Sequence, residues 1–304
     1  MVIRDAVAKT VTCTQQHYID MVQSLDLTTV KHKLDDTLPA SLITEFRGTT
    51  SAISWVSVTS PIAATIASLH QGCLPSPTFR DATKLNNALA QLKTCYRPLI
   101  FRFIQRPWRT LTVSDSSFAN VSRHSQGGFL ILLQHANPMK LGGEANIFEF
   151  KSNKAKRVCT STMHSEAVSH CTAQENASFI QTFLHEIMNP TLSAQQILAL
   201  EGPSFTQNIG LVDCEDLHAA LVSAAAPNPS NRALTLYLSS LRELKETKFV
   251  HEYLWVDTRD MLANAMTKVN EDGTIPLDEI QEFLTTGTVV FRHPYRWCHQ
   301  LTYD

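Results

Sequence analysis

Thr110-Leu-Thr-Val-Ser114, Gly128-Phe-Leu-Ile-Leu-Leu-Gln134 and Asn146-Ile-Phe-Glu-Phe-Lys151 follow one another along the chain. The first and third alternate apolar with polar residues, and a period of two predicts strands with one buried face. The second is a continuous apolar run, which suits a strand covered on both faces. Thr162 to Met188 then runs without proline behind the cap candidates Ser161 and Thr162, predicting a long helix. Ile209-Gly-Leu-Val-Asp213 predicts a short strand that passes into a helix near Glu215. Asn231 to Thr247 reads as a helix, Phe249 to Val256 as a strand, and Arg259 to Lys268 as a final short helix. From Thr110 onward the order is three strands, helix, strand, helices, strand, helix. That order predicts an α/β fold, a mixed sheet flanked by helices.

The flanks read differently. Residues 1–105 are rich in Ser, Thr and Ala, and two stretches, Ile62 to His70 and Lys84 to Lys93, carry apolar residues at helical spacing. Pro75 and Pro77 separate them, so a mostly helical N-terminal segment is expected, with Leu99 to Ile104 strand-like at its end. In 269–304, Asn270 to Glu279 matches part of a calcium-binding loop, but Lys268 stands where the first carboxylate belongs. A turn followed by a helix from Pro276 to Leu284 is the expectation there, with Phe291, Tyr295 and Trp297 packed on the domain.

Composition narrows the classes. The chain has 304 residues, is 43% hydrophobic and 18% charged, and carries a formal charge of −2. Such a chain builds a sizeable core and is not disordered overall. No apolar run approaches the roughly 20 residues that span a bilayer, so no membrane partner is expected. The start has no signal-peptide pattern, and the seven cysteines lack CxxC pairs. They read as reduced thiols, which places the chain inside the cell, in cytoplasm or nucleus. Near-neutral charge gives no global field that would pull the chain onto nucleic acid.

Three carboxylates recur at element ends: Asp115 at the end of the first of the three strands, Glu166 near the start of the long helix, and Asp213 where strand passes to helix. Brought together they repel one another, and burial adds a desolvation cost. Divalent cations neutralise such clusters. Mg²⁺ takes oxygen ligands, and two ions about 3.5–4 Å apart clamp the attacking and leaving oxygens of a phosphodiester.

Residues 106–268 resemble the ribonuclease H domain of copia-type retrotransposon polyproteins. Val113-Ser-Asp-Ser-Ser-Phe-Ala-Asn120 is similar to the family's opening "YSDADWAGD", and Ser125-Gln-Gly-Gly-Phe129 to its "STSGY". Ser161-Thr-Met-His-Ser-Glu-Ala167 resembles "SSTEAEY", and Leu211-Val-Asp-Cys-Glu-Asp-Leu217 resembles the "DNQSA" strand end. The most specific segment is Tyr253-Leu-Trp-Val-Asp-Thr-Arg-Asp-Met-Leu-Ala-Asn-Ala-Met-Thr-Lys268, set against "YVPTEDQLADILTK". Upstream, Phe46-Arg-Gly through Thr59-Ser-Pro61 and the helix from Leu85 to Lys93 resemble the segment after a reverse-transcriptase palm. Asp35-Asp36 does not lie in the apolar hairpin that a polymerase's aspartates need, so the chain looks like the C-terminal piece of such a polyprotein.

The resemblance implies a division into a thumb or connection-like remnant (1–105), a ribonuclease H-like domain (106–268) and a tail (269–304). It also implies Mg²⁺ or Mn²⁺, two ions, and hydrolysis of the RNA strand of RNA–DNA hybrids. Asp115 would bridge the ions, Asp213 and Asn264 would serve the water-activating ion, and Glu166 would serve the other and orient water. Ser116, Ser117, Asn120, Arg123, Lys154, Lys156 and Arg157 would contact the hybrid, and the polyprotein's polymerase domains would be partners. Two departures stand out: Asn264 replaces the family's fourth acid, and Val168 its second "TEAE" acid. Asn264 removes one negative charge, so weaker cation binding is expected there. Asp260 lies a helical turn earlier and is either a substitute ligand or, as favoured, a solvent-facing helix-start acid. A catalytically degenerate transposon remnant that keeps the fold as a binding or structural module is the alternative.

Overall fold

The computed structural model describes residues 1–28, 31–121, 124–138, 140–156, 158–193, 195–196, 206–223, 231–297 and 300–302; the side chains of 119–121, 124, 297 and 300–302 are left aside. Strands β1 (Val2–Asp5) and β2 (Thr10–Cys13) come first, followed by helices α1 (Gln16–Met21), α2 (Ala40–Val56), α3 (Pro61–Gln71) and α4 (Phe79–Cys95). Strand β3 (Leu99–Arg102) pairs with β2 and completes a three-stranded antiparallel sheet. Local chemistry sets the helix starts. Ser60 caps α3 with Pro61 at its first position, and Thr78 and Asp81 form a reciprocal capping box at α4.

The main sheet begins with β4 (Trp108–Val121), β5 (His124–His135) and β6 (Gly143–Lys154), an antiparallel meander. Helix α5 (Thr162–Met188) crosses to β7 (Thr206–Val212), which lies parallel to β4. Helices α6 (Glu215–Val222) and α7 (Arg232–Glu246) lead to β8 (Glu252–Trp255), parallel to β7. Helix α8 (Asp278–Thr286), β9 (Thr288–Val289), β10 (Tyr295–Trp297) and β11 (Gln300–Thr302) follow, giving the sheet order β11-β10-β8-β7-β4-β5-β6-β9. This is the expected α/β architecture, a mixed sheet flanked by helices, with a mostly helical N-terminal segment. No helix among the described residues is long and apolar enough to cross a membrane.

Strand β5 shows why both faces are covered. Phe129, Ile131 and Leu133 pack with Ala173, Ala177, Ile180 and Leu184 of α5. Leu130 and Leu132 point the other way, into a core shared with α2, α3, α4 and residues 254–295. The alternation follows from the pleat, so a continuous apolar run is what a two-sided burial requires. Residues before 105 and after 269 therefore pack in the same core as the sheet.

Between β4, β7 and α5 runs a buried polar chain whose orientation is determined. Thr110 and Thr112 hydroxyls donate to Asn208 Oδ1 at 3.2 and 2.9 Å. Asn208 Nδ2 donates to Gln174 Oε1 at 2.8 Å, which turns Gln174 Nε2 towards His170 Nε2 at 3.1 Å. His170 Nε2 is thus the acceptor, and its Nδ1–H donates to Ser114 Oγ at 2.7 Å. Complete burial pushes the imidazole's pKa down to about 3. Because the folded pKa lies below the unfolded one, the stability it contributes is present above about pH 6.5 and is lost as pH falls. Between pH 6 and 4 the parent should lose about 1.4 kcal/mol per pH unit more than His170→Gln. Urea unfolding at several pH values measures this, and parallel slopes would contradict it.

The segment expected as a helix from Arg259 to Lys268 forms two 3-10 turns, Thr258–Asp260 and Leu262–Met266. Met261 is extended between them, and Met261, Leu262, Ala263, Ala265 and Met266 are all buried. A helix would expose one side, whereas this tight turn buries its apolar side chains in several directions.

Candidate active site

Asp115 is not at a strand end, as expected, but mid-strand. The parallel ladder between β4 and β7 stops at Val113–Leu211, while β4 continues to Val121 paired with β5. Its serines prolong it because they face polar partners: Ser116 Oγ lies 2.5 Å from Ser165 Oγ, and Ser169 Oγ donates to the Asp115 carbonyl at 2.9 Å. Asp115 points away from these serines, and its Oδ2 accepts from Thr267 Oγ1 with Lys268 Nζ at 4.0 Å. Asp213 follows directly on β7, and Glu166 lies in the second turn of α5, whose cap is Ser161. Thus Asp115 and Asp213 stand where the two parallel strands part, and α5 brings in Glu166.

The three carboxylates each offer an oxygen, and these oxygens lie within 4.8 Å of one another. Asp115 and Glu166 are buried, and Asp213 is half-buried. Glu166 Oε1 accepts from the Ser116 amide at 3.2 Å, and its Oε2 is buried with no hydrogen-bond partner. Burial, then the charge of Asp213, raises the Asp115 pKa to about 6, against the opposing pull of Lys268 and Thr267. Burial and the two aspartates push Glu166 well above the usual carboxylate range. Such a cluster is electrostatically uncompensated by protein alone. Its donor set, oxygen only and convergent, fits a hard divalent cation.

Asn264, half-exposed, is turned elsewhere. Its Nδ2 donates to the Thr258 carbonyl at 2.6 Å and its Oδ1 accepts from Lys268 Nζ. Asp260 corrects the favoured expectation: it is buried, not solvent-facing, and accepts from the His293 amide at 2.7 Å, with His293 Nδ1 at 3.1 Å. The residues at 290–295 fold back over this turn, so the acid belongs to a tertiary contact. Thr267 and Lys268 were not singled out from the sequence as site residues. Their link to Asp115 spans about 150 positions, and the only local signal was their place within the final motif.

Of the residues expected to touch nucleic acid, Ser116 and Ser117 are buried, and Ser116 is engaged with Ser165. Lys154 ends β6 half-buried, and Lys156 is exposed in the turn that follows. Arg123, Arg157 and the side chain of Asn120 lie outside the described residues. The segment 270–279 forms the expected turn, with Asp272 Oδ1 accepting from the Thr274 amide and hydroxyl at 2.9 and 2.7 Å. The helix after it starts two residues later than expected, at Asp278.

Gly128, opposite Asp115 on β5, makes the close approach possible. A Cβ there would lie 2.3 Å from Met266 Cβ and 2.9 Å from the Met266 carbonyl oxygen. Ser152 Oγ donates to that carbonyl at 2.6 Å, and Thr65 Oγ1 donates to the Ala265 carbonyl at 3.0 Å. The turn carrying Thr267 and Lys268 is thereby pressed onto the sheet beside Asp115.

No protein-family model matches the chain, and no curated protein matches it. Among solved structures, the chain is similar to the N-terminal RNase H domain of Rv2228c from Mycobacterium tuberculosis, solved as a fusion with maltose-binding protein. The identity is 9%, the match covers 52% of this chain and 90% of the other, and the TM-score is 0.33. It is also similar to RNase H1 from the halophilic archaeon Halobacterium salinarum, at 12% identity, 52% and 94% coverage and a TM-score of 0.33.

Proposed function

We propose that the chain is a divalent-cation-dependent nuclease that hydrolyses the RNA strand of RNA–DNA hybrids. The observation that carries this reading is the convergence of Asp115, Glu166 and Asp213 with the buried Glu166 Oε2 left without a partner. The motif resemblance to copia-type ribonuclease H supplies the substrate class and the retrotransposon setting. Asp115, Glu166 and Asp213 would hold Mg²⁺ or Mn²⁺, which when bound offsets the negative charge that builds on phosphate oxygens as water attacks. Glu166, fixed at Oε1 by the Ser116 amide, presents its other oxygen to orient the water. Lys156, exposed in the turn before α5, would meet a backbone phosphate. The near-neutral net charge suits weak hybrid affinity and help from a partner domain, the role assigned to the polymerase part of a polyprotein.

The remnant reading draws support from Asn264, whose oxygen is engaged by Lys268. Cleavage of a labelled hybrid in Mg²⁺ and in Mn²⁺ separates the two. Cutting by the parent that Asp115→Asn abolishes is the expected result. A silent parent beside an Asn264→Asp variant that cuts would establish the remnant, and silence in both with normal cation binding would end the nuclease reading.

A further inference from the structure

Lys268 stands beside the carboxylate cluster. Its Nζ donates to Asn264 Oδ1 and stands 4.0 Å from Asp115 Oδ2. Its backbone amide is tied to the Asn264 carbonyl at 2.9 Å, in the turn that Ser152 and Thr65 pin to the sheet and to α3. The ammonium therefore lies between Asp115 and Asn264, two of the residues that the motif resemblance assigns to the water-activating ion. Asn264 supplies no charge, so the three carboxylates bring at most three negative charges to a bound cation. One divalent cation and one ammonium balance them; two divalent cations beside Lys268 would leave an excess of positive charge in a half-buried site, where like charges repel strongly.

We propose that Lys268 is the built-in second cation of this site: its ammonium fills the Asp115–Asn264 flank, and the carboxylate cluster takes one divalent ion instead of two. This rests on reading the cluster as a cation site. Lys268 is a positioning residue here, holding Asp115 through charge while Thr267 holds it by a hydrogen bond. A lysine at this place exchanges no ligands with water, so the flank is insensitive to cation concentration. Removing the ammonium opens the second ion's site, and a carboxylate restored at 264 strengthens it.

Counting bound Mn²⁺ by the loss of its free electron-paramagnetic-resonance signal tests the idea without any cleavage assay. The parent should bind one ion per chain, and Asn264→Asp with Lys268→Met should bind two, the pair broadening each other's signal. Lys268→Met alone should show a weak second ion, and it is the safer variant for folding, which the circular-dichroism melt checks. Two ions in the parent would overturn the role of Lys268 and leave the cation site standing. No ion in the parent would remove the cation site itself. One ion in the double variant, with a normal melt, would show that the ammonium was not what excluded the second.

Discussion

Asp115→Asn should make the protein more stable in EDTA and less stable than the parent in excess Mg²⁺. Without cations, Asp115 is ionised above about pH 6 in a buried place beside two other carboxylates. Its folded pKa is raised, so the sign is opposite to that of a salt-bridged acid. Its protonated form adds stability at low pH, and that contribution is lost as pH rises through about 6. An amide is neutral at every pH and still accepts from Thr267, so it should recover about 1–3 kcal/mol at pH 7.5. With a bound ion the order reverses, because a ligand a hundredfold above its Kd stabilises the folded state by about 3 kcal/mol. The variant lacks a ligand and forgoes most of that gain. Thermal melts with and without Mg²⁺ should therefore cross between the two proteins. Equal responses to Mg²⁺ would mean that Asp115 does not hold the ion.

Gly128→Ala should destabilise the fold by about 3 kcal/mol, the upper range for overpacking a filled space. The new methyl would meet Met266 Cβ and two backbone atoms of the same residue, and the backbone there is pinned by Ser152 and Thr65. Neither side can yield cheaply. Because Thr267 and Lys268 follow directly, relief by moving the turn would draw both away from Asp115. Urea unfolding measures the loss. Met266→Gly in the same chain removes one of the three clashing atoms and should restore part of the stability, whereas Met266→Leu should restore none. A Gly128→Ala protein as stable as the parent would show that the turn is not packed as described.

Much of this architecture was legible before any coordinates. The run at 128–134 announced a strand buried on both sides, and the absence of proline with a Ser161 cap announced α5. Short strands β1 and β2 were not legible: four residues each carry too little periodicity, and β3, which joins them through β2, lies some ninety residues away. The carboxylates were legible because each sits in a local motif. What surrounds them was not. The strand was expected to end near Asp115, yet it runs on, with α5 presenting Ser165 to Ser116 and Ser169 to the Asp115 carbonyl. The adjacent glycines at 127–128 sit within a strand, a signal of close backbone approach that could have pointed to the Met266 contact. Asp260 shows the opposite failure, since helical spacing put it on a surface that residues near His293 in fact cover.

The turn at 262–268 is seated against α3 and the sheet, although it is made some two hundred residues after α3. On a ribosome, everything up to Asp213 emerges while the seat for that turn is still vacant. A nascent chain of that length already carries all three acids but not the lysine beside them. Thr267 and Lys268, the last of the residues that touch Asp115 to be synthesised, supply the hydrogen bond and the positive charge on that side of it.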